Sequence, residues 1–250
     1  EINKYKLTDL SNFLKSDAYI VYGSSYITGD LVNNYAIDGG ETWQPGSQST
    51  DTLSSIENVT GTAFDDTIYG DGNVNILRGL AGVDTIYGRG DDDTIDGGSG
   101  VDTIFGEDGN DTLIGGSGAD IISGGNGTDV VDYSTDAANT DEAGNSGTAG
   151  VTVNLAATSS GGGARDGWGN VDTYADVIED AIGTNQIDSL TGEVGANQIW
   201  GLAGADTIRG LAGNDTLHGG DGNDTMDGGT DNDILSGDNG NDTMDGGDGN

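Results

Sequence analysis

Aspartate is the residue of this sequence whose type and spacing could support chemistry. Between Gly97 and Asp132 the chain reads GGSGVDTIF, GEDGNDTLI, GGSGADIIS and GGNGTDVVD, with aspartate at the sixth position of each nine-residue unit. The same frame covers residues 61–132 with eight units, and residues 183–250 with seven complete units and a truncated eighth. The sixth-position aspartates are Asp66, Asp84, Asp93, Asp102, Asp111, Asp120, Asp129, Asp188, Asp206, Asp215, Asp224, Asp233 and Asp242.

The rest of each unit indicates how these carboxylates are positioned. Glycine at the first and usually the fourth position permits the left-handed backbone angles of tight turns. The eighth position is always apolar, from Ile68 to Met244. Because the neighbours of an inward residue on a strand point outward, one buried residue per unit predicts a short strand between two turns. We therefore predict an all-β fold, a parallel β-roll resembling a β-helix, in which two units close one coil and two blocks are joined by an irregular β spacer.

Stacked coils would bring the sixth-position carboxylates into two columns, and like charges at that spacing repel unless cations lie between them. Ligands that are all oxygen, on flexible glycine-rich loops, favour calcium over magnesium. If each ion bridges one unit and the second unit after it, the two blocks hold roughly twelve calcium ions.

Composition supports a cation as the partner. The chain has 44 acidic and 7 basic residues, for a formal charge of -37, which excludes binding to nucleic acid or to anionic membrane surfaces. It has no cysteine and one histidine, His218, so a zinc site or a histidine-based triad is excluded and we do not expect an enzyme. No apolar run is long enough to span a membrane. High charge with low hydrophobicity also leaves disorder, in a calcium buffer, as an alternative.

We predict four regions: a β cap or spacer at 1–60, the first block at 61–132, the β spacer at 133–182 and the second block at 183–250. The aromatic residues of the first region could instead bind a glycan or a partner. The lead-ins SSIENVTGT and DVIEDAIGT correspond, and Asn75 and Asn197 replace aspartate in the second unit of each block. These matches indicate a duplicated module, and the incomplete last unit suggests a fragment of a longer protein.

The repeats resemble the RTX (repeats-in-toxin) family of calcium-binding β-rolls. The most specific match is GGNGTDVVDYS at 124–134, while GVTVNLA and SLTG resemble the spacers of that family. Phe64, Gln186, Asp91 and Asp231 depart from it by replacing the fourth glycine. The resemblance implies that each ion lies between loops of neighbouring coils, bound by sixth-position aspartates and by carbonyls of the first four positions, for example those of Gly97, Ser99, Gly106, Asp108, Gly115, Ser117, Gly219 and Asp221.

The resemblance also implies a function and a location. We expect a calcium-binding structural module of a large extracellular protein, such as an adhesin stalk, a surface-layer subunit or a matrix protein. It would leave a Gram-negative bacterium by type I secretion and fold on calcium outside, where neighbouring copies or cell-surface glycans are further candidate partners. The alternative is the C-terminal secretion and folding module of an enzyme, such as a protease, a lipase or a polysaccharide epimerase.

Overall fold

A computed structural model describes residues 57–136, 149–156 and 162–249, together with the backbone of 20–22, 25–27 and 34–36. Most of the predicted cap at 1–60, and residues 137–148 and 157–161 of the predicted spacer, therefore lie outside the described residues. Within these ranges no helix is long and apolar enough to cross a membrane. The strands are β1 (Ile20–Tyr22), β2 (Ser25–Ile27), β3 (Asn34–Ala36), β4 (Asn58–Thr60), β5 (Thr67–Tyr69), β6 (Ile76–Ala81), β7 (Thr85–Gly90), β8 (Thr94–Ser99), β9 (Thr103–Asp108), β10 (Thr112–Ser117), β11 (Ile121–Asn126), β12 (Val130–Asp132), β13 (Thr152–Asn154), β14 (Gly163–Arg165), β15 (Val171–Tyr174), β16 (Asp180–Ile182), β17 (Ser189–Thr191), β18 (Gln198–Trp200), β19 (Thr207–Ala212), β20 (Thr216–Asp221), β21 (Thr225–Thr230), β22 (Ile234–Asn239) and β23 (Thr243–Asp245).

The repeat strands form two long parallel sheets, one from each alternate unit. Within a block each residue pairs with the residue 18 positions on, as Ile95 does with Leu113 and Ile86 with Ile104. One sheet has ten strands and the other eleven. A shift of 18 residues is two units, so the predicted β-roll with two units per coil is confirmed.

The core between the sheets is a double row of eighth-position side chains. From Ile68 to Met226 these side chains are at most 1% exposed. Leu235 is only partly buried and Met244 is 51% exposed, which differs from the prediction that every eighth position is buried. Both lie in the last coil of the described chain, where no further coil packs over them.

The spacer is threaded into both sheets. In the ten-stranded sheet β12 pairs directly with β16, so Val131 lies beside Ala181. In the eleven-stranded sheet β11 pairs with β15, which continues through the antiparallel strands β14 and β13 to β17. Tyr133, Ile178 and Leu155 of this region are fully buried and join the same core. The stack of coils is therefore continuous from the first block to the second.

The first coil of each block differs from the coils that follow it. We call 61–78 and 183–200 the opening coils, and 79–132 and 201–245 the inner coils. In the inner coils the second residue of every unit has positive φ, even where it is Leu80, Arg89 or Glu107. In the opening coils the second residues, such as Thr62 and Thr184, do not. Strands β7, β8 and β19 run for six residues through a second residue with positive φ, whereas β5 and β17 end after three residues, before a second residue that lacks it.

Candidate metal centre

The sixth-position carboxylates lie in two columns, linked by hydrogen bonds from coil to coil. The backbone N–H of Asp84 donates to Oδ1 of Asp102 at 2.8 Å, and that of Asp93 donates to Oδ1 of Asp111 at 2.8 Å. The second block repeats this, with the N–H of Asp206 donating to Oδ1 of Asp224 at 2.8 Å. One oxygen of each carboxylate thus fixes the side chain against the preceding coil.

At nine inner-coil aspartates the other carboxylate oxygen has no hydrogen-bond partner, although it is shielded from solvent. A charged oxygen buried without a partner costs several kcal/mol, so native proteins pair such groups or use them to bind metals. The same atom recurs in this state along both columns and in both blocks. The shielded Oδ2 atoms without a hydrogen bond belong to Asp84, Asp93, Asp111, Asp120, Asp129, Asp206, Asp215, Asp224 and Asp233.

The first-position glycines make room for these oxygens. A Cβ added to Gly201 would lie 2.5 Å from Oδ2 of Asp206 and 2.6 Å from the carbonyl oxygen of Gly219 in the next coil. A Cβ on Gly97 would lie 2.7 Å from Oδ2 of Asp102 and 2.8 Å from the carbonyl oxygen of Gly115. A carboxylate and a carbonyl oxygen therefore converge on a space too small for a side chain. Hard oxygen donors of this kind fit a calcium ion.

Burial changes the acidity of the columns. It raises the pKa of Asp84, Asp93, Asp129 and Asp206 to about 7, since the charged form loses hydration and has carboxylate neighbours. The pKa of Asp120 rises to about 9, because of burial first and the neighbouring Asp172 second. Folding therefore disfavours the ionised form of these carboxylates, and a bound cation would stabilise that form.

The opening coils supply the missing partner from the protein itself. Oδ2 of Asp66 accepts hydrogen bonds from the N–H of Thr62 at 2.6 Å and from its hydroxyl at 3.0 Å. Oδ2 of Asp188 accepts the same two bonds from Thr184, at 2.6 and 3.2 Å. These bonds form because the second residue of the unit has an ordinary backbone that turns its N–H toward the carboxylate.

In the other column of each opening coil an asparagine takes the place of the aspartate, and its side-chain oxygen likewise accepts the N–H of the second residue of its own unit. Oδ1 of Asn75 accepts from the N–H of Asp71 at 2.7 Å, and Oδ1 of Asn197 accepts from the N–H of Glu193 at 2.8 Å. Among the predicted ligands, Asp66 and Asp188 therefore differ from the inner-coil aspartates in having protein donors on Oδ2. The sequence predicts that both bind metal, whereas the donors on Oδ2 favour the absence of an ion beside that oxygen.

The predicted carbonyl donors fall into two groups. The carbonyls of Gly97, Gly106, Gly115 and Gly219 border the glycine space of the preceding coil. The carbonyl oxygens of Ser99, Ser117 and Asp221 already accept the N–H of a glycine in the preceding coil, at 2.8 to 2.9 Å. For Asp108, the side chain accepts a hydrogen bond from the Nδ2 group of Asn126 at 2.7 Å. In the described ranges no three Asp, Glu, His or Cys side chains meet where they could bind one ion. A cation here would take its further ligands from backbone carbonyls.

Sequence reasoning missed two carboxylates of the spacer that extend the columns. The N–H of Asp120 donates to Oδ1 of Asp172 at 3.0 Å, and the N–H of Asp129 donates to Oε2 of Glu179 at 2.8 Å. Oδ2 of Asp172 accepts the hydroxyl of the buried Tyr133 at 2.9 Å. Their separations of 52 and 50 residues break the 18-residue period, so only the resemblance between the two lead-ins could have indicated Glu179.

Comparison with known families gives one match. The model of the RTX calcium-binding nonapeptide repeat (4 copies) matches residues 51–86, 69–104, 96–131, 182–217 and 218–250, which together make up more than half of the chain. Comparison with curated protein sequences finds no match.

Proposed function

Because the chain belongs to the RTX calcium-binding nonapeptide repeat family, we propose that it is a calcium-dependent structural module of a large extracellular protein. The observation that carries the proposal is the row of shielded Oδ2 atoms without hydrogen-bond partners in the inner coils. A module of this kind would remain unfolded without calcium and would fold where calcium is abundant.

The residues of the inner coils have distinct parts in this process. Sixth-position aspartates such as Asp84 and Asp111 would hold calcium through Oδ2, while Oδ1 keeps the side chain in place through a backbone N–H. First-position carbonyls such as that of Gly219 would add neutral oxygens from the neighbouring coil. Bound calcium supplies the positive charge that allows both columns to be ionised in the folded state. Binding energy thereby becomes folding energy.

Roughly twelve ions, as the repeat count suggests, would reduce the formal charge of -37 to about -13. We propose the four regions 1–60, 61–132, 133–182 and 183–250 as the functional divisions, with the spacer linking two calcium-binding blocks. The continuous pairing of β12 with β16 supports mechanical coupling between those blocks.

For the parent protein we propose an adhesin stalk, a surface-layer subunit or a matrix protein, secreted by a Gram-negative bacterium through a type I apparatus. A continuous stack of coils, stiffened by ions, suits a spacer between a cell and a glycan or a neighbouring copy. The alternative is the folding module of a secreted enzyme. Electron microscopy of the full-length parent protein distinguishes them: a long series of such modules supports the stalk, and a catalytic domain beside a single array supports the enzyme.

The test of calcium dependence is removal of the ion. The chain is measured by circular dichroism and small-angle X-ray scattering in millimolar calcium and again with excess chelator, with magnesium at the same concentration as the control. We expect β structure and a compact radius only with calcium, because extracellular calcium sites typically bind at roughly 10⁻⁴–10⁻³ M. A chelated sample that keeps both would reject the proposed function.

A further inference from the structure

The column that contains Asp111 and Asp129 does not end with the first block. The N–H of Asp111 donates to Oδ1 of Asp129 at 2.9 Å, as in the rest of the column. The N–H of Asp129 then donates to Oε2 of Glu179, a residue of the spacer, at 2.8 Å. In return the N–H of Glu179 donates to the carbonyl oxygen of Asp129 at 3.2 Å. The last aspartate of this column is therefore held to a single spacer residue in both directions.

Asn197 continues the connection into the second block. Its Nδ2 group donates to the carbonyl oxygen of Glu179 at 2.6 Å. Its backbone N–H donates to Oδ1 of Asp215, an inner-coil aspartate of the second block, at 2.8 Å. Direct hydrogen bonds thus lead from Asp129 through Glu179 and Asn197 to Asp215, and we call this series the junction path.

The junction path gives a physical reason for asparagine at a sixth position. An ionised aspartate has no proton to donate, so it would place a second acceptor against the carbonyl oxygen of Glu179. Asn197 is 1% exposed, so water could not relieve that contact. Asn75 is the equivalent residue of the first block, and its shielded Nδ2 group has no hydrogen-bond partner in the described part of the chain. Of the two asparagines, the one between the blocks is the one that uses its amide as a donor.

The other column is interrupted at the junction. Its first-block end is Asp120, whose N–H donates to Oδ1 of Asp172 at 3.0 Å. Its second-block end is Asp188, whose Oδ1 accepts the N–H of Val151 at 2.7 Å. Strands β13, β14 and β15 lie between the two blocks in this sheet. The carboxylates of the two blocks are therefore connected most directly along the column that contains the junction path.

We propose that Glu179 and Asn197 couple calcium binding in the two blocks, so that ions in one block raise the calcium affinity of the other. The proposal rests on the calcium-binding function above. Calcium at Asp129 fixes the turn that holds Glu179, Glu179 holds Asn197, and Asn197 orients the carboxylate of Asp215 toward its own ion. Hydrogen-bonded networks of this kind can carry coupling between sites, and the coupling is reciprocal. Glu179 and Asn197 are thus positioning residues, through which both blocks would fold over one narrow range of calcium concentration.

The readout for the second block is the fluorescence of Trp200. This residue lies in β18 and stacks on His218 of the next coil, with 6.0 Å between ring centroids, so its fluorescence reports the ordering of that block. The other two tryptophans, Trp43 and Trp168, are replaced by phenylalanine in the 250-residue chain. The calcium concentration at the midpoint of the Trp200 transition is then measured by titration.

The experiment weakens calcium binding in the first block and measures the response of the second. We expect Asp111→Asn to raise the Trp200 midpoint about fivefold or more, since couplings between sites are typically about 5–150-fold. Glu179→Ala removes the acceptor for the N–H of Asp129 and should reduce that shift to less than about twofold. Asn197→Asp breaks the path from the other side, and it decides the matter if Glu179→Ala does not fold in saturating calcium.

Two control variants make the result specific. Glu179→Gln removes the charge but keeps an oxygen acceptor for Asp129, so it should retain the shift. Asp176→Ala is the matched control, because this spacer carboxylate also accepts an N–H of the first block, that of Gly124 at 2.9 Å, and lies outside the junction path. It should retain the shift as well.

The outcomes separate the coupling from calcium binding itself. No shift in the Trp200 midpoint with Asp111→Asn, or an equal shift in Glu179→Ala and Asn197→Asp, would overturn the coupling while leaving calcium binding intact. Loss of the shift in Asp176→Ala too would assign the effect to the junction as a whole and overturn the role of these two residues. A chain that takes up no calcium at all would instead reject the proposed function, and the coupling with it.

Discussion

The opening and inner coils solve the same electrostatic problem in different ways. Both place a buried acceptor at the sixth position, and both fix it to the neighbouring coil. In the opening coil Thr184 gives Asp188 an N–H and a hydroxyl. In the inner coils Asp206 and Asp224 receive neither on Oδ2. We therefore propose that calcium dependence varies with the position of a unit in the block, even though the aspartate is the same.

The backbone of the second residue accounts for the difference. Leu211 has a positive φ and lies within the six-residue strand β19, whereas Thr184 has no positive φ and donates its N–H to the carboxylate of its own unit. The left-handed conformation costs a residue other than glycine about 1–2 kcal/mol. Leu80, Arg89, Glu107, Leu202, Leu211 and Asp238 all adopt it. Since the strained geometry recurs in both blocks, we infer that it is retained because it leaves a carboxylate oxygen available for an ion.

The largest expected effect is the response of the calcium-free chain to acid, which tests the unpaired carboxylates of the inner coils. Burial raises the pKa of the inner-coil residues Asp84, Asp93 and Asp206 to about 7, above the value of about 3.9 in an unfolded chain. The folded state thus binds protons more tightly than the unfolded state. The resulting stability is complete below about pH 4 and is lost as the pH rises through about 7.

We therefore expect the calcium-free chain to gain β structure, measured by circular dichroism, when the pH falls from 8 to 5. About 1 M sodium chloride screens the overall charge repulsion, so a gain that persists in salt belongs to the buried carboxylates. In calcium we expect the opposite pH dependence, with less β structure at pH 5 than at pH 8, because protons compete with the ion for Oδ2. A β signal independent of pH in the calcium-free chain would contradict the account.

The next largest effect separates the core from the columns. Leu113 is fully buried at an eighth position, and Leu113→Ala opens a cavity that should lower the free energy of unfolding by about 2–5 kcal/mol. The loss should remain in saturating calcium, because calcium fills no part of the cavity. Urea unfolding at two calcium concentrations measures it. Recovery of the variant in high calcium would show that the eighth position is part of the metal site.

Thr184→Val tests the caps of the opening coils. Thr184 is fully buried, and valine keeps its shape while removing the hydroxyl that Asp188 accepts. Hydrogen bonds to charged groups contribute about 1.5–3 kcal/mol, so we expect a loss of that size in urea unfolding. Calcium should not restore it, and Thr225→Val, at an exposed threonine, should cost much less. Full rescue by calcium would mean that opening and inner coils do not differ as described.

The smallest expected effect on stability at saturating calcium is that of Asp111→Asn. Asparagine still offers an oxygen to the N–H of Asp93 but removes one charge from the middle of a column. The calcium concentration needed for folding should rise, while the free energy of unfolding in excess calcium returns to within about 1 kcal/mol of the parent value. Calcium titrations followed by thermal melts measure both quantities. A loss that calcium does not reduce would contradict the assignment of the sixth position to metal.

Much of this arrangement could be predicted from the sequence, because a nine-residue period fixes which residues share a column and which enter the core. The period predicted the pairing of Ile95 with Leu113 and the burial of the eighth positions. It could not predict the caps, since the role of Thr62 depends on a backbone angle. Nor could it predict Asp172 or Glu179, which reach the columns only after a long insertion that the period does not cross. The replacement of the sixth-position aspartate by Asn75 and Asn197 was visible in the sequence, but the sequence alone gave no physical reason for it.

The most direct test of the central claim is a crystal structure grown in calcium, with anomalous scattering recorded at long wavelength to locate the ions. We expect calcium beside Oδ2 of inner-coil aspartates such as Asp84, Asp111 and Asp206, in both columns. We expect no calcium beside Oδ2 of Asp66 or Asp188, where threonine already donates two hydrogen bonds. Inner columns without ions, or ions distributed equally over the opening and inner coils, would contradict this expectation.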